Sequence, residues 1–371
     1  MLYFDGHART QDTVPFRFAV HAPVGRRPAA RLYLTGDAAA LGAWRPDGLA
    51  LARGKDGVFR ATVALPRGAT VQYKVTRGTW QTVERDVHGT DIANRTVVVE
   101  GADSVEINVE RWAEPRSTRG GRIREHRVAG RAVYVYVPPD YGKNARQRYP
   151  VLYMHDGQNL FDAATAAFGI EWRVDDTANR LIRAGRIEPL IVVGIQNASD
   201  RGKEYAAPFG ARAGHADAYA HFLLNAVKPL IDRRYRTRPD RENTAVGGAS
   251  LGGNVSLYIA ASHPDRFAMC AALSPSVWYQ GDRFVRHVAK ALRPAKQRVH
   301  VLVGTAEGKS VKACEDYVRG ARKLVAALQK RGFGAARMRY REVEGGRHNE
   351  ADWSEQMEEV LLFLFGTPRA E

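Results

Sequence analysis

The sequence predicts an all-β sandwich followed by an α/β domain whose sheet is mostly parallel. Three observations lead there. Up to about residue 110, short alternating or β-branched runs are split by turn residues, without helical periodicity. Beyond about residue 123, fully apolar runs alternate with long amphipathic stretches, as in a parallel sheet covered by helices on both faces. Between two such runs stands Gly248-Ala249-Ser250-Leu251-Gly252, a small-residue turn that leads from a strand-like run into a helix-like one.

In the first unit, 1–110, the strand candidates are 15–20, 30–34, 58–65, 70–76, 96–100 and 105–109. Gly36-Asp37, Pro46-Asp47-Gly48, Lys55-Asp56-Gly57, Pro66-Arg67-Gly68 and Arg77-Gly78 punctuate them, the spacing of an immunoglobulin-like sandwich. Residues 111–122 are polar, contain Pro115 and Gly120-Gly121, and are expected to be a linker. The second unit, 123–371, opens with an antiparallel strand over 132–137 that stops at Pro138-Pro139. Buried strands are predicted at 151–154, 190–195, 244–247, 267–273, 299–303 and 338–343. Helices are predicted at 172–184, 216–235, 251–262, 283–292, 315–331 and 352–365, with Gly332 just past the end of the fifth.

A chain of 371 residues, 44% apolar and 26% charged, is globular and long enough for two domains. Arginine carries most of the net charge of +16, which suits acidic polymers, anionic ligands, membrane surfaces or simply an arginine-rich proteome. The basic residues are scattered and no nucleic-acid motif accompanies them, so no nucleic-acid partner is expected. Cys270 and Cys314 are too few for a disulfide scaffold or a cysteine zinc site, and Cys270 reads as core. No secretory leader and no apolar run of membrane-span length is visible. A cytoplasmic location is the default, and a secreted or periplasmic one follows if a leader has been removed.

Gly248-x-Ser250-x-Gly252 between a strand and a helix fits a nucleophile elbow, the turn that lifts a serine above the sheet edge in α/β-hydrolases. The bland reading is a glycine-rich turn whose serine caps the helix. A serine nucleophile needs a base, and the base an orienting acid. His348 follows the last strand in a loop softened by Gly345-Gly346 and is the expected base. Glu307 lies beyond the carboxyl end of a strand and is the expected acid, with Asp316, inside a helical stretch, as its competitor. The loop from His155 to Asp162 leaves another strand end, so the backbone N–H groups of Gln158 and Leu251 are the expected oxyanion donors. His155 and Asp156 lack a third ligand at metal-site spacing. Neither metal nor cofactor is expected.

Two resemblances add to this. Leu34-Thr35-Gly36-Asp37, Leu41-Gly42-Ala43-Trp44, Val63-Ala64-Leu65-Pro66, Val71-Gln72-Tyr73-Lys74-Val75 and Asn94-Arg95 resemble the starch-binding carbohydrate-binding modules over about the first 110 residues. That resemblance implies glucan binding by Trp44 and Lys74. The family's further tryptophan before the Asn-Arg pair is replaced by Val83-Glu84-Arg85, with Trp80 a few residues earlier as the substitute. The bland reading has Trp44 and Trp80 plugging the sandwich.

The second resemblance rests on His155-Asp156-Gly157-Gln158-Asn159-Leu160-Phe161-Asp162, Glu171-Trp172, Val193-Gly194-Ile195-x-Asn197, Arg201-x-x-Glu204-Tyr205, Gly248-Ala249-Ser250-Leu251-Gly252-Gly253, Ser274-Pro275-Ser276 and Gly346-Arg347-His348-Asn349. These resemble the "Putative esterase" family of α/β-hydrolases, which includes enterochelin, feruloyl, acetyl-xylan and esterase D-like enzymes. It implies serine-dependent ester cleavage without a cofactor. His155, Asp156, Trp172, Arg201, Tyr205, Trp278 and Tyr279 are candidate substrate contacts near strand ends. The bland reading has the aromatics packing the top of the sheet and Arg201 pairing with Glu204.

The function expected is a serine carboxylic-ester hydrolase acting on a small-molecule or polysaccharide ester, of feruloyl or acetyl type near a carbohydrate. Siderophore trilactone hydrolysis and acyl transfer are the enzymatic alternatives, and a catalytically inactive glycan-binding protein is the alternative of another class.

Overall fold

The computed structural model of the chain describes residues 12–23, 31–113, 117–120, 122–308 and 310–367. The chain divides into two compact units, residues 1–116 with 167–169, and residues 117–166 with 170–371.

The first unit is all β. Its strands are β1 (Thr13–His21), β2 (Leu32–Gly36), β3 (Leu49–Arg53), β4 (Phe59–Pro66), β5 (Thr70–Thr76), β6 (Glu84–Arg85), β7 (Arg95–Val98), β8 (Asp103–Asn108) and β9 (Arg111–Trp112). Seven of them run in the order β7-β5-β2-β3-β4-β1-β8, all antiparallel except β1 beside β8. Strand β1 shows the alternation that builds such a core: Val14, Phe16 and Phe18 are buried while Thr13, Pro15 and Arg17 face solvent. Phe16 and Phe18 meet Leu34, Leu65, Tyr73 and Ile107 in one apolar cluster. Strand β3, which alternates weakly, was not expected from the sequence. The expected linker is shorter than 111–122, because Arg111 and Trp112 pair with β6 and the Ala113 N–H donates to the Val83 carbonyl.

In the second unit the strands are β10 (Ile123–Val128), β11 (Arg131–Tyr136), β12 (Val151–His155), β13 (Ile191–Ile195), β14 (Thr244–Ala249), β15 (Met269–Leu273), β16 (Arg298–Gly304) and β17 (Met338–Val343). They form one sheet in the order β10-β11-β13-β12-β14-β15-β16-β17, parallel from β13 onward with an antiparallel β10-β11 edge. The helices are α1 (Val174–Arg183), α2 (Arg201–Glu204), α3 (Ala216–Phe222), α4 (Lys228–Arg234), α5 (Leu251–Ser262), α6 (Val277–Ala291), α7 (Val311–Lys330) and α8 (Glu350–Phe365). The pleat divides the side chains between two cores. Val151, Tyr153 and Val246 face Leu257, Phe284 and Leu324 of α5, α6 and α7. Leu152, Met154 and Ala245 face Leu181 of α1 and Leu361 and Leu364 of α8. This is the α/β-hydrolase arrangement.

Two helices depart from expectation for local reasons. The stretch 216–235 is α3, a π turn (Leu223–Val227) and α4, because Pro229 in the first turn of α4 lacks an N–H and excludes a carbonyl one turn back. Helix α6 starts at Val277, six residues before the predicted 283, and breaks at Gly281, where φ is 66° and ψ −162°. Strand β10 escaped prediction because it is an edge strand with only Ile123 buried.

Strand β12 hands over to its loop at Gly157, where an added Cβ would lie 2.2 Å from the Gly194 carbonyl carbon and 2.4 Å from the Ile195 nitrogen. Gly157→Ala is therefore expected to lower stability by about 1–3 kcal/mol, read by thermal or urea unfolding.

Candidate active site

Strand β14 ends at Ala249, and the chain turns through Ser250 at φ 60° and ψ −126° before α5 begins at Leu251. A residue with a Cβ is strained there. Its neighbours hold it in place. The Ser250 N–H donates to the Leu273 carbonyl at 2.9 Å. A Cβ on Gly248 would lie 3.0 Å from the Gly252 carbonyl and 3.1 Å from the His155 ring, and one on Gly252 would lie 3.2 Å from Asp156 Oδ2. Ser250 occupies the N-cap of α5, yet its hydroxyl makes no capping bond. This removes the capping reading. Ser250 Oγ lies 2.9 Å from His348 Nε2 instead.

His348 Nδ1 lies 3.0 Å from Glu307 Oε2. Facing a carboxylate, Nδ1 carries the hydrogen and leaves Nε2 to accept from Ser250. Glu307 is buried and its other oxygen is also engaged: Oε1 accepts from the Gly304 N–H at 2.6 Å and from the Ser274 hydroxyl. Ser274 Oγ in turn accepts from Trp353 Nε1 at 2.8 Å. The acid and histidine loops are laced together, with the Ala306 N–H donating to the Gly346 carbonyl and the Gly345 N–H to Thr305 Oγ1, both at 2.9 Å. The His348 ring sits 4.8 Å from Tyr317 and edge-on, 4.9 Å, to Trp353. Asp316, the competing acid, lies on α7 and pairs with Arg319.

After β12, Asp156 adopts φ 55° and a short 3-10 turn, Gly157–Asn159, carries Gln158. Gln158 is fixed through Nε2, which donates to Asn197 Oδ1 at 2.6 Å. The Leu251 N–H is the first of α5, where no carbonyl of the helix can reach it. Arg201 ties this loop to the elbow. Its Nε and one terminal nitrogen each lie 2.7 Å from an Asp156 oxygen, and that nitrogen also donates to the Ala249 carbonyl at 3.4 Å. The bland reading would pair Arg201 with Glu204, but Arg201 pairs with Asp156 and Glu204 with Arg131 at 2.6 Å.

Burial corrects several expected substrate contacts. His155 is fully buried, its Nδ1 2.8 Å from the Tyr219 hydroxyl, and burial lowers its pKa to about 3, so it is a neutral wall of the elbow. Asp156 is spent on Arg201. Tyr205 is fully buried, its hydroxyl accepting from the Asp156 N–H at 3.3 Å. Trp172 is buried against Trp353, ring centroids 5.6 Å apart, behind His348. Trp278 is 47% exposed and remains a candidate contact. It packs edge-on to Tyr317 and Tyr279, and Arg212 lies 4.6 Å from the Tyr279 ring centre.

Sequence reasoning missed Ser274, Tyr317, Trp353 and Glu350. Ser274-Pro275-Ser276 was visible as a motif without a role, and the others lie on helices where spacing alone does not tell a site from a core. Glu350 Oε1 accepts from Asn159 Nδ2 at 3.4 Å, and burial, reinforced by Asp156, raises its pKa to about 7 against Arg201.

In the first unit, Ala43 and Trp44 both adopt positive φ, 48° and 66°. The Trp44 N–H donates to the Gly36 carbonyl at 2.8 Å, and a Cβ on Gly42 would lie 2.4 Å from Gly48 Cα. A tight loop thus presents a half-buried indole. Trp80, also half-buried, opens a 3-10 turn, Trp80–Thr82. Lys74 is corrected as a sugar contact: it is buried, and Nζ donates to Asp91 Oδ1 at 3.3 Å and to the Ile92 carbonyl. Where the resembling family has a tryptophan, Glu84 is buried, accepting from the Val75 N–H at 2.8 Å and from Arg95 Nε at 2.9 Å.

The raised pKa of Glu350 gives a stability prediction. Between about pH 4.5 and 7 the folded chain holds a proton that the unfolded chain has released, so this group's contribution to stability falls as pH rises through that window. Glu350→Gln is expected to flatten that part of the melting temperature against pH curve and to melt above the wild type at pH 8.

Residues 129–364 match the family described as "Putative esterase", and residues 13–108 match the starch binding domain. An endo-1,4-beta-xylanase/feruloyl esterase of Xylanibacter ruminicola is 26% identical over 235 residues, which are 62% of this chain and 29% of that protein. The chain thus spans under a third of that relative. The ferri-bacillibactin esterase BesA of Bacillus subtilis is 24% identical over 244 residues, 58% of this chain and 79% of that one. In fold, the chain is similar to the crystal structure of a ferric enterobactin esterase from Salmonella typhimurium, with a TM-score of 0.52 and 16% identity over 91% of this chain and 89% of that one. The esterase match takes in well over half of the sequence, so the chain belongs to this esterase family and is a carboxylic ester hydrolase with an N-terminal starch-binding-like module.

Proposed function

We propose that the chain hydrolyses a carboxylic ester carried on or near a carbohydrate, with Ser250 as nucleophile, His348 as general base and acid, and Glu307 as the acid that orients His348. The observation that supports this best is the unbroken line of hydrogen bonds from Ser250 Oγ through His348 to Glu307, with the acid's other oxygen already satisfied. Ser250 Oγ attacks the ester carbonyl while its proton passes to His348 Nε2. The carbonyl oxygen, now anionic, takes the Leu251 and Gln158 N–H groups as donors, each worth about 3 kcal/mol of barrier. His348 returns the proton to the leaving alcohol. A water then attacks the acyl-enzyme by the same route, releasing the acid and restoring Ser250.

The carbohydrate part of the reading rests on the starch-binding match and on the strained loop that presents Trp44. A flat indole stacks on a sugar ring at little entropic cost, and a tethered binding module raises the effective concentration of a polymeric substrate. The relative named a feruloyl esterase supports an aromatic acyl group, for which Trp278, Tyr279 and Tyr317 offer a wall. One observation favours a second substrate, an anionic siderophore trilactone: Arg212 lies over Trp278 and Tyr279 and supplies a cation beside that wall, and one relative is named a ferri-bacillibactin esterase.

Chromatographic release assays on a feruloylated oligosaccharide, an acetylated one and a triscatecholate trilactone separate the readings. Sugar-ester cleavage is expected, and trilactone cleavage alone would reassign the substrate. Ser250→Ala is expected to lower kcat by about 10^4-fold or more, and Glu307→Gln by about 10^3- to 10^4-fold. Near-normal turnover in Glu307→Gln would remove the acid from its role. Trp44→Ala is expected to weaken binding to soluble glucan roughly ten-fold while leaving cleavage of a small ester unchanged; unchanged glucan affinity would remove the sugar platform.

A further inference from the structure

We infer that Ser276 is a further catalytic residue, whose hydroxyl donates a hydrogen bond to Ser250 Oγ and thereby directs the nucleophile's own proton toward His348. The inference rests on Ser250 being the nucleophile. Ser276 Oγ lies 3.2 Å from Ser250 Oγ, and the residue is buried. It occupies the N-cap of α6, where a serine side chain ordinarily accepts from the first turn, but it makes no such bond. Its backbone is pinned to the elbow. The Ser276 N–H donates to the Ser250 carbonyl at 3.4 Å, and the Ser276 carbonyl accepts from Asn254 Nδ2 of α5 at 2.8 Å.

The direction of the bond follows from counting hydrogens. Ser250 has one hydroxyl proton, and His348 Nε2, with Nδ1 protonated against Glu307, can only accept. When that proton points at Nε2, the remaining contact of Ser250 Oγ with Ser276 is satisfied only if Ser276 donates. If Ser276 instead accepted, the proton would point away from the base and attack would stall. During acylation the Ser250 proton moves to Nε2 as the Oγ–carbon bond forms, and the Ser276 proton stays on Ser276. In deacylation the Oγ–carbon bond breaks, its electron pair returns to Oγ, and the proton comes back from Nε2. The Ser276 donor stabilises the departing Oγ at that point, so losing it slows deacylation more than acylation.

The test measures the burst and steady-state rates of p-nitrophenyl acetate hydrolysis, with fluorophosphonate labelling of Ser250, in wild type, Ser276→Ala, Ser276→Cys and Ser276→Thr. Ser276→Ala is expected to lower kcat about 10- to 100-fold, with the burst phase less affected, and to keep the wild-type melting temperature because no cap is lost. Ser276→Cys, close in shape but a weak donor, is expected to be slow, and Ser276→Thr, which keeps the hydroxyl, to recover most of the rate. Alanine and cysteine variants within two-fold of wild type would overturn the inference while Ser250 is still labelled. So would a threonine variant as slow as alanine at an unchanged melting temperature. Should Ser276→Ala fail to fold, the cysteine and threonine pair decides. A wild type neither labelled nor turning over would remove the nucleophile itself, and this inference with it.

Discussion

Between β14 and α5 the backbone reverses so closely that a Cβ at Gly248, Gly252 or Gly253 would lie 3.0–3.2 Å from its nearest neighbour, and this crowding frames Ser250 at a positive φ. Other features of the site follow from that turn. It leaves the first N–H of α5 without an acceptor in the helix. It brings Ser250 to the Leu273 carbonyl at the end of β15, so Ser274 and Ser276, the next residues past that strand with a hydroxyl, reach the two ends of the relay. It also seats the elbow on His155 and Asp156, which explains why those residues are buried supports and why Arg201 grips both Asp156 and the Ala249 carbonyl.

Much of this was legible in the sequence. Glycines at 248 and 252 around a serine, between an apolar strand and a helix, specify the elbow because few other backbone paths need small residues there. Chain order and loop position then picked out His348 and Glu307, and the structure places His348 beside Ser250 and Glu307 beside His348. What was not legible depends on side-chain direction. His155, Tyr205 and Trp172 sit in the right loops but point inward. Arg201 reaches Asp156, forty-five residues away in sequence, in preference to its neighbour Glu204. Glu350 and Tyr317 are placed by α8 and α7, and no local pattern marks a helix residue that faces a site.

The same distinction holds in the N-terminal unit. Alternation found most of its strands, whereas Lys74 shows its limit: the strand was predicted residue for residue, yet its lysine is buried against Asp91. The net charge of +16 is what is left once every acidic residue is counted, so the ion pairs of the fold cancel within it and do not lower it. Arg131, Arg201, Arg322 and Arg341 are engaged by Glu204, Asp156, Glu342 and Glu359, and Arg236 lies 3.8 Å over the Tyr141 ring. Arg131 and Arg201, mostly buried, act as fixed struts, whereas Arg322 and Arg341 are at the surface, and the positive excess over the carboxylates supplies any field that steers an anionic substrate.

The proposed chemistry turns on Ser250 being made nucleophilic by His348. Intact-mass measurement of fluorophosphonate labelling over time, with peptide mapping, tests it most directly in the wild type and in His348→Ala. One adduct per chain is expected, on Ser250, formed at least about 10^3-fold more slowly when the imidazole is absent. Equal labelling rates in the two proteins, or an adduct elsewhere, would contradict it.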